Sequence, residues 1–204
     1  TRSNIMANRN TVGFGLNATG TMGSNYTNQG QSNYFIDAAD ATAIYNGQPV
    51  KITSGYIVTA TAAITNSALG VLNGVFYNAT STQKPTWNTY YPGGITPANS
   101  EDTTAFVLDN PMQLYEASVN ALMGATQPAA VVATIGQTMG TQTSQGSTTT
   151  GKSSQSLVFA TIHATANTWR VLRVSADPEN EDMTAAWCTV VVVGNLNQII
   201  DSSA

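Results

Sequence analysis

The chain has 204 residues, of which 42% are apolar and only 9% charged, and its formal net charge is −4. This length allows one domain with a sizeable core, and the apolar content separates the chain from disordered ones. Its Lys and Arg residues are scattered, so no basic stripe is available for phosphates, which argues against nucleic-acid binding. Soluble domains are typically about 25% charged, so this surface suits an assembly better than a free monomer.

Cys188 is the single cysteine, which excludes an intramolecular disulfide and a zinc site built on two cysteines. It lies in the most apolar run of the chain, which indicates a buried, unreactive thiol. No apolar core of a secretion signal appears in residues 1–30, and no apolar run approaches the about 20 residues of a membrane span. We therefore expect a protein made in the cytoplasm, soluble there and without a membrane partner.

Residues 1–33 predict an extended N-terminal arm, because they are rich in Gly, Asn and Thr and keep no hydrophobic period. A frayed terminus is the alternative interpretation. In the arm interpretation, isolated side chains anchor on a neighbouring subunit. The candidates for that contact are Arg9, Phe14, Leu16, Met22 and Tyr26.

Residues 34–204 predict one β-rich domain made of short β-branched and aromatic runs. The first predicted strands are 34–36, 43–45, 48–63 with a break at Ser54-Gly55, 69–78 and 104–108. In the run 69–78, Gly70 and Gly74 indicate a bulge or a close backbone approach. Residues 109–122 fit either a helix after Asp109 or a strand of period two, and we favour the strand.

An aromatic segment, 87–91, ends at the turn Pro92-Gly93-Gly94. Trp87, Tyr90 and Tyr91 of this segment are candidates for a stacking platform, although packing within the core is the commoner role of such a cluster. Residues 128–135 fit a short helix or a strand, and the Gly/Thr/Ser-rich residues 136–156 predict a long surface loop.

The C-terminal part predicts three strands, 157–165, 169–175 and 185–194, with a polar turn at 177–182 between the last two. Residues 190–193 show no polar alternation, which predicts a strand covered on both faces. The whole pattern predicts a mainly β single domain, either a β-sandwich or a distorted barrel.

Residues 146–153, GSTTTGKS, match the phosphate-binding pattern G-x-x-x-x-G-K-[ST]. A working P-loop follows a strand directly and opens a helix, whereas this segment lies in a polar tract and precedes a β-branched run. We therefore interpret the match as coincidental and expect no nucleotide cofactor.

Other chemistry-bearing residues form no recognisable constellation. His163 is the single histidine and falls in a predicted strand, so a structural or solvent-facing role is favoured over catalysis. The acidic turn lacks the glycine and terminal glutamate of an EF-hand loop, so we favour a solvated turn over a calcium site. No spacing singles out a hydrolytic pair among Asp37, Asp40, Glu101, Asp102, Asp109 and Glu116. We expect neither a catalytic residue, nor a metal, nor another cofactor.

A set of segments in fixed order carries a family resemblance. They are MANRNTVGFGL, YNGQPVKI, GVFYNA followed by WNTYYPGG, AFVLDNPMQLYE, TTTGKS, and WRVLRVSADPENED followed by VVVVGNLNQ. In this order the chain resembles capsid decoration (cement) proteins of marine tailed bacteriophages, over nearly all residues after Met6. The resemblance implies a virion protein on the outside of the head, bound to the major capsid protein, and a homo-oligomer, with a trimer as the guess. In that setting the five candidate side chains of the arm would face the capsid.

Our leading hypothesis is a non-enzymatic protein that stabilises the capsid lattice through apolar burial and strand or arm addition. The first alternative is a fibre or head-surface module that binds host glycans through Trp87, Tyr90 and Tyr91. The second alternative is an enzyme, either a P-loop phosphotransferase or a carboxylate hydrolase.

Overall fold

Two antiparallel sheets stack into a sandwich-like arrangement in the computed structural model. The structure describes residues 8, 10–23, 30–60, 67–123, 132–142, 146–180, 182 and 185–200. A mainly β fold of this kind confirms the class predicted from the sequence.

The described residues contain twelve strands and one short 3-10 turn, Ala98–Ser100. The strands are β1 (Asn17–Thr21), β2 (Gln31–Ile36), β3 (Pro49–Thr53), β4 (Tyr56–Thr59), β5 (Gly70–Ala79), β6 (Lys84–Asn88), β7 (Thr103–Leu108), β8 (Gln113–Ser118), β9 (Thr138–Thr141), β10 (Leu157–His163), β11 (Trp169–Val174) and β12 (Thr189–Gly194). Sheet 1 has the order β1-β8-β12-β11-β9-β10, and sheet 2 has the order β2-β7-β5-β3-β4 with β6 paired to β5.

The main core lies between the two sheets. Tyr115 of β8 and Trp169 of β11 meet edge to face, with ring centroids 5.4 Å apart. The hydroxyl of Tyr115 donates a hydrogen bond to the carbonyl of Leu108 at 3.0 Å, so that one buried side chain ties sheet 1 to the end of β7. Val71 of β5 belongs to the same cluster, which shows that sheet 1 covers one end of sheet 2.

Sheet 2 encloses a second core on its other face. Its members share complete or nearly complete burial, and they are Ile36, Ile44, Val50, Ile57, Leu69, Leu72, Val75, Tyr91, Ala105 and Val107. β4 approaches β2 at the opposite end of the strand order, so the sheet curls around this cluster. Sheet 2 therefore contributes a different face to each of the two cores.

β12 has apolar neighbours on both faces, as its uninterrupted valine run predicts. Val190 and Val192 belong to the core between the sheets. Val191 and Val193 form a small cluster with Leu114 on the opposite face. A strand of this kind needs no polar alternation because neither face is left to water.

A bulge in β5 reverses the direction of its side chains. The register against β7 pairs Leu72 with Val107 and then Gly74 with Phe106, which leaves Asn73 as an extra residue. Leu72 and Val75 consequently both face the inner core although three positions separate them. The bulge predicted from the two glycines of this run is confirmed.

The predicted break at Ser54-Gly55 is also confirmed, since β3 and β4 form a hairpin around it. The strand chosen within residues 109–122 is β8, and the last three predicted strands are β10, β11 and β12. Residues 43–45 contribute only an isolated bridge between Ile44 and Tyr91. Of the residues 128–135, those before Val132 lie outside the described part of the chain.

The described part of the segment expected to be an extended arm differs from that expectation. Asn17–Thr21 is strand β1 and pairs with β8, and β2 begins at Gln31. The difference arises because β1, NATGT, has almost no apolar side chains and is held by backbone pairing. A hydrophobic pattern does not report that kind of contact.

The expected long loop at 136–156 likewise contains a strand. β9, TMGT, pairs with β10 and with β11, and all four of its residues are buried. The hydroxyl of Thr138 donates to the carbonyl of His163 at 2.8 Å, which lets a polar side chain occupy a buried position. The sequence did not reveal this strand because it is only four residues long and carries one apolar side chain, Met139, within a Gly/Thr/Ser-rich segment.

Gly70 provides a test of the close approach between β5 and β7. A Cβ atom there would lie 2.1 Å from the carbonyl oxygen of Leu108, whereas a Cβ at Gly20 of β1 would meet nothing within 4 Å. We expect Gly70→Ala to lower the free energy of unfolding by about 3 kcal/mol or to prevent folding. The control Gly20→Ala should change it by less than about 0.5 kcal/mol. Urea denaturation of the three proteins measures both, and equal stability of the two variants would contradict the close approach.

The burial of Cys188 can be tested by the reactivity of its thiol. It is fully buried, and burial raises the pKa of its thiol to about 11, with the negative charge of Asp182 adding to the effect and Asn180 opposing it. The reactive thiolate is therefore scarce at pH 8 in the folded protein. We expect a thiol reagent to leave the native protein unlabelled and to label it once after urea is added. Rapid labelling under native conditions would show that the thiol is accessible.

Candidate functional site

Four aromatic rings lie on one face of sheet 2, and we call them the aromatic face: Phe35, Phe76, Trp87 and Phe106. The register pairs Phe35 with Thr104, Thr104 with Phe76, and Phe76 with Trp87. Directly paired residues project to the same side of an antiparallel sheet, so this row crosses β2, β7, β5 and β6 on one face. Phe106 follows in the next row, opposite Gly74.

The aromatic face is open to solvent at its two ends and half-buried in its middle. Phe35 and Trp87 are each 54% exposed, and Phe76 and Phe106 are intermediate. The rings of Trp87 and Phe106 lie 4.6 Å apart between centroids. Gly74 lies beneath them, since a Cβ atom there would be 3.0 Å from Cζ2 of Trp87. The missing side chain therefore lets the indole lie close to the strand.

No charged side chain is placed on this face by the strand pairings of the described residues. The register puts Asn33, Asn78, Pro85 and Thr104 around the four rings. At the rim, the amide of Asn78 donates to the carboxylate of Glu101 at 3.2 Å. The surface offers apolar contact with scattered amide and hydroxyl groups, which suits a neutral partner.

The aromatic face continues the face of sheet 2 that sheet 1 covers. Leu108 and Val71 form the next paired row beyond Phe106, and both are buried in the core between the sheets. A covered row and the aromatic rows therefore adjoin on the same face of sheet 2. Exposed apolar patches of this kind mark interaction sites more often than scattered apolar residues do.

The three residues predicted as a glycan platform are not brought together. Trp87 belongs to the aromatic face, whereas Tyr91 is fully buried, and its hydroxyl donates to the carbonyl of Asp40 at 2.7 Å. Tyr90 stacks on Tyr45 with centroids 5.6 Å apart and planes 7° from parallel. These three residues are close in sequence, but β6 ends between them and the turn that follows sends their side chains in different directions.

Residues 146–153 form a tight hairpin, not the entry to a helix. Gly146 pairs with Ser153, and the amide of Gly151 donates to the carbonyl of Ser147 at 2.7 Å. Its glycines permit close packing, because a Cβ at Gly146 would collide with the ring of Tyr45. The glycines that match a phosphate-binding pattern therefore serve the contact with the stacked tyrosines.

The other predicted chemical residues have structural partners. Nδ1 of His163 accepts the amides of Thr165 and Ala166, each at 3.2 Å, in the turn after β10. Asp177 accepts the amide of Glu179 at 2.9 Å within the acidic turn. Among the described residues no group of three His, Cys, Asp or Glu side chains could hold a metal ion.

Each of the six candidate carboxylates also accepts a hydrogen bond from a donor of its own. The donors are the amides of Ala39 to Asp37 and of Thr42 to Asp40, and the side chains of Asn78 to Glu101, Tyr56 to Asp102, Tyr34 to Asp109 and Ser175 to Glu116. Burial, together with the bond to Asp109, raises the pKa of Tyr34 to about 12. A cleft of about 360 Å³ lies beside Asp37, Asp40 and Tyr56.

The residues predicted to form a capsid or subunit contact differ in their exposure to solvent. Leu16 is only 2% exposed and belongs to the core between the sheets, so it is not available at the surface. Phe14 is half-buried, and Met22 is 45% exposed. Arg9 and Tyr26 lie outside the described residues. The sequence did not predict the aromatic face, because its four residues belong to four different strands and only the strand register brings them together.

Comparison with protein families, with curated proteins and with solved structures finds no match for this chain. No helix in the described ranges is long and apolar enough to cross a membrane.

The hairpin geometry predicts the outcome of a nucleotide titration. Because the amides of Ser147 and Gly151 already bond within the hairpin, they cannot cradle phosphates. We expect no binding heat when Mg-ATP is titrated into the wild-type protein or into Lys152→Ala. Saturable heat that disappears in Lys152→Ala would contradict this assignment.

Proposed function

We propose that this chain is a non-enzymatic virion structural protein that binds the outside of an assembled phage head and stabilises the lattice of the major capsid protein. The observation that carries the proposal is the aromatic face, an uncharged apolar surface left open beside a covered one. The resemblance to capsid decoration proteins and the low charge of the whole chain support the same conclusion.

The composition of the face favours a protein surface as its partner. Three of its four rings are phenylalanines, which have no polar group to hydrogen-bond a sugar, and large aromatic side chains dominate the energy of protein interfaces. A stable interface covers about 800 Å² on each partner, so the four rings form its centre and the surrounding amides its rim. In a homo-oligomer each copy adds such a contact, and weak individual contacts then give strong overall binding.

Copy number is the first measurement for this function. We expect the protein in purified particles at a count equal to that of the major capsid protein or to a simple fraction of it. A few copies per particle would place it on a tail or fibre and favour host binding. Absence from particles would refute the virion assignment.

The aromatic face is tested by head binding. We expect Trp87→Ala and Phe35→Ala each to weaken co-sedimentation with heads that lack the protein by about tenfold or more, since truncating an interface aromatic commonly costs more than 1 kcal/mol. Met112→Ala is the matched control, because Met112 is apolar and similarly exposed, at 49%, but lies just before β8 of sheet 1. Urea denaturation of all three variants separates a loss of binding from a loss of stability, which Trp87→Ala also risks because its ring packs on Phe106. Unaltered binding by both aromatic variants would place the capsid contact elsewhere.

A further inference from the structure

A small cavity of about 10 Å³ lies where the two sheets meet, and we call it the junction cavity. Gly70 of β5 lines it from sheet 2, while Tyr115 of β8 and Trp169 of β11 line it from sheet 1. Asn110, which precedes β8, and Asn197, which follows β12, also line it. A cavity needs about 10–15 Å³ to hold one water molecule, so this one is too small for any larger ligand.

Trp169 brings a buried polar group without a partner to this cavity. Its side chain is 2% exposed, and Nε1 finds no hydrogen-bond acceptor among the described residues. The ring belongs to the core between the sheets and meets Tyr115 edge to face. A buried N–H that stays unpaired loses the hydrogen bond that water gives it in the unfolded chain, and almost all buried donors in folded proteins bond to protein or to ordered water. The indole therefore requires an acceptor, and the junction cavity that it lines has room for one.

The cavity wall also offers oxygens to the hydrogens of a water molecule. The hydroxyl of Tyr115 donates to the carbonyl of Leu108 at 3.0 Å, and its oxygen keeps the capacity to accept. Oδ1 of Asn197 accepts the amide of Ile199 at 2.8 Å, and a carbonyl oxygen has a second lone pair. The described residues that line the cavity carry no charge, so a neutral molecule fits this site better than an ion.

We propose that the junction cavity binds one ordered water molecule, which accepts the hydrogen of Nε1 of Trp169 and donates to the oxygens of Tyr115 and Asn197. These are about three hydrogen bonds, the number typical of buried water. Nδ2 of Asn197 donates to the carbonyl of Leu69 at 3.3 Å, just before β5. The water therefore connects β8 and β11 of sheet 1 with the start of β5 in sheet 2. This site is structural, and it is independent of capsid binding.

A crystal structure of this chain, at a resolution that shows ordered water, tests the site directly. We expect a water oxygen at about 2.7–3.2 Å from Nε1 of Trp169, in position to donate to the oxygens of Tyr115 and Asn197. Well-defined density for Trp169 with no water beside Nε1 would overturn the proposal.

Replacing Trp169 with benzothienylalanine tests the hydrogen bond in solution, because this analogue keeps the shape of the indole and has sulfur in place of the N–H. We expect the equilibrium constant for folding to fall about fivefold, since the analogue loses the hydrogen bond to the water. If the N–H is unpaired in the folded protein, its removal leaves stability equal or raises it, and that result would overturn the proposal.

The same replacement at Trp87 is the matched control. The side chain of Trp87 is 54% exposed, so the loss of its N–H should leave the equilibrium constant unchanged. Urea denaturation of the wild-type protein and of both analogue-containing proteins measures the two effects.

Discussion

The pairing of β5 with β7 is the constraint on which the rest of this structure depends. At the start of β5, Gly70 lies against the carbonyl of Leu108 with no room for a side chain, which lets the two backbones approach where sheet 1 covers them. A few residues later the bulge at Asn73 changes the facing of the strand. Because of that change, Val75 completes the inner core and Phe76 projects outward onto the aromatic face. One strand therefore serves two cores and one open surface.

Polar side chains without charge stabilise much of the remainder. The amide of Asn180 donates to the carbonyl of Thr189 at 2.9 Å, and the amide of Gln113 donates to the carbonyl of Gly20 at 2.7 Å. The side-chain amide groups of these two buried residues donate to backbone carbonyls of neighbouring segments, as buried donors generally do. A chain with so few charges thus keeps order through amides and hydroxyls, and its surface stays compatible with close contact to another protein.

The residues that match a phosphate-binding motif show that a sequence pattern predicts a function only when the surrounding strands and helices fit that function. The glycines of the hairpin 146–153 allow it to lie against Tyr45 and Tyr90, and the same letters would cradle phosphate only between a strand and a helix. The aromatic segment shows that residues close in sequence can occupy different environments. Trp87 and Tyr91 are four positions apart in sequence, yet one lies on a solvent face and the other in a core.

The sequence by itself determined the mainly β class, the hairpin at Ser54-Gly55, the bulge beside Gly74 and the burial of β12 on both faces. Each depends on a local signal, such as a turn residue, a glycine or a run of valines, that acts through neighbouring residues in the chain. Only the tertiary structure decided that β1 and β9 are strands, because backbone pairing with distant partners holds them. It also decided the aromatic face, since this face combines residues of four strands that strand register alone brings into contact.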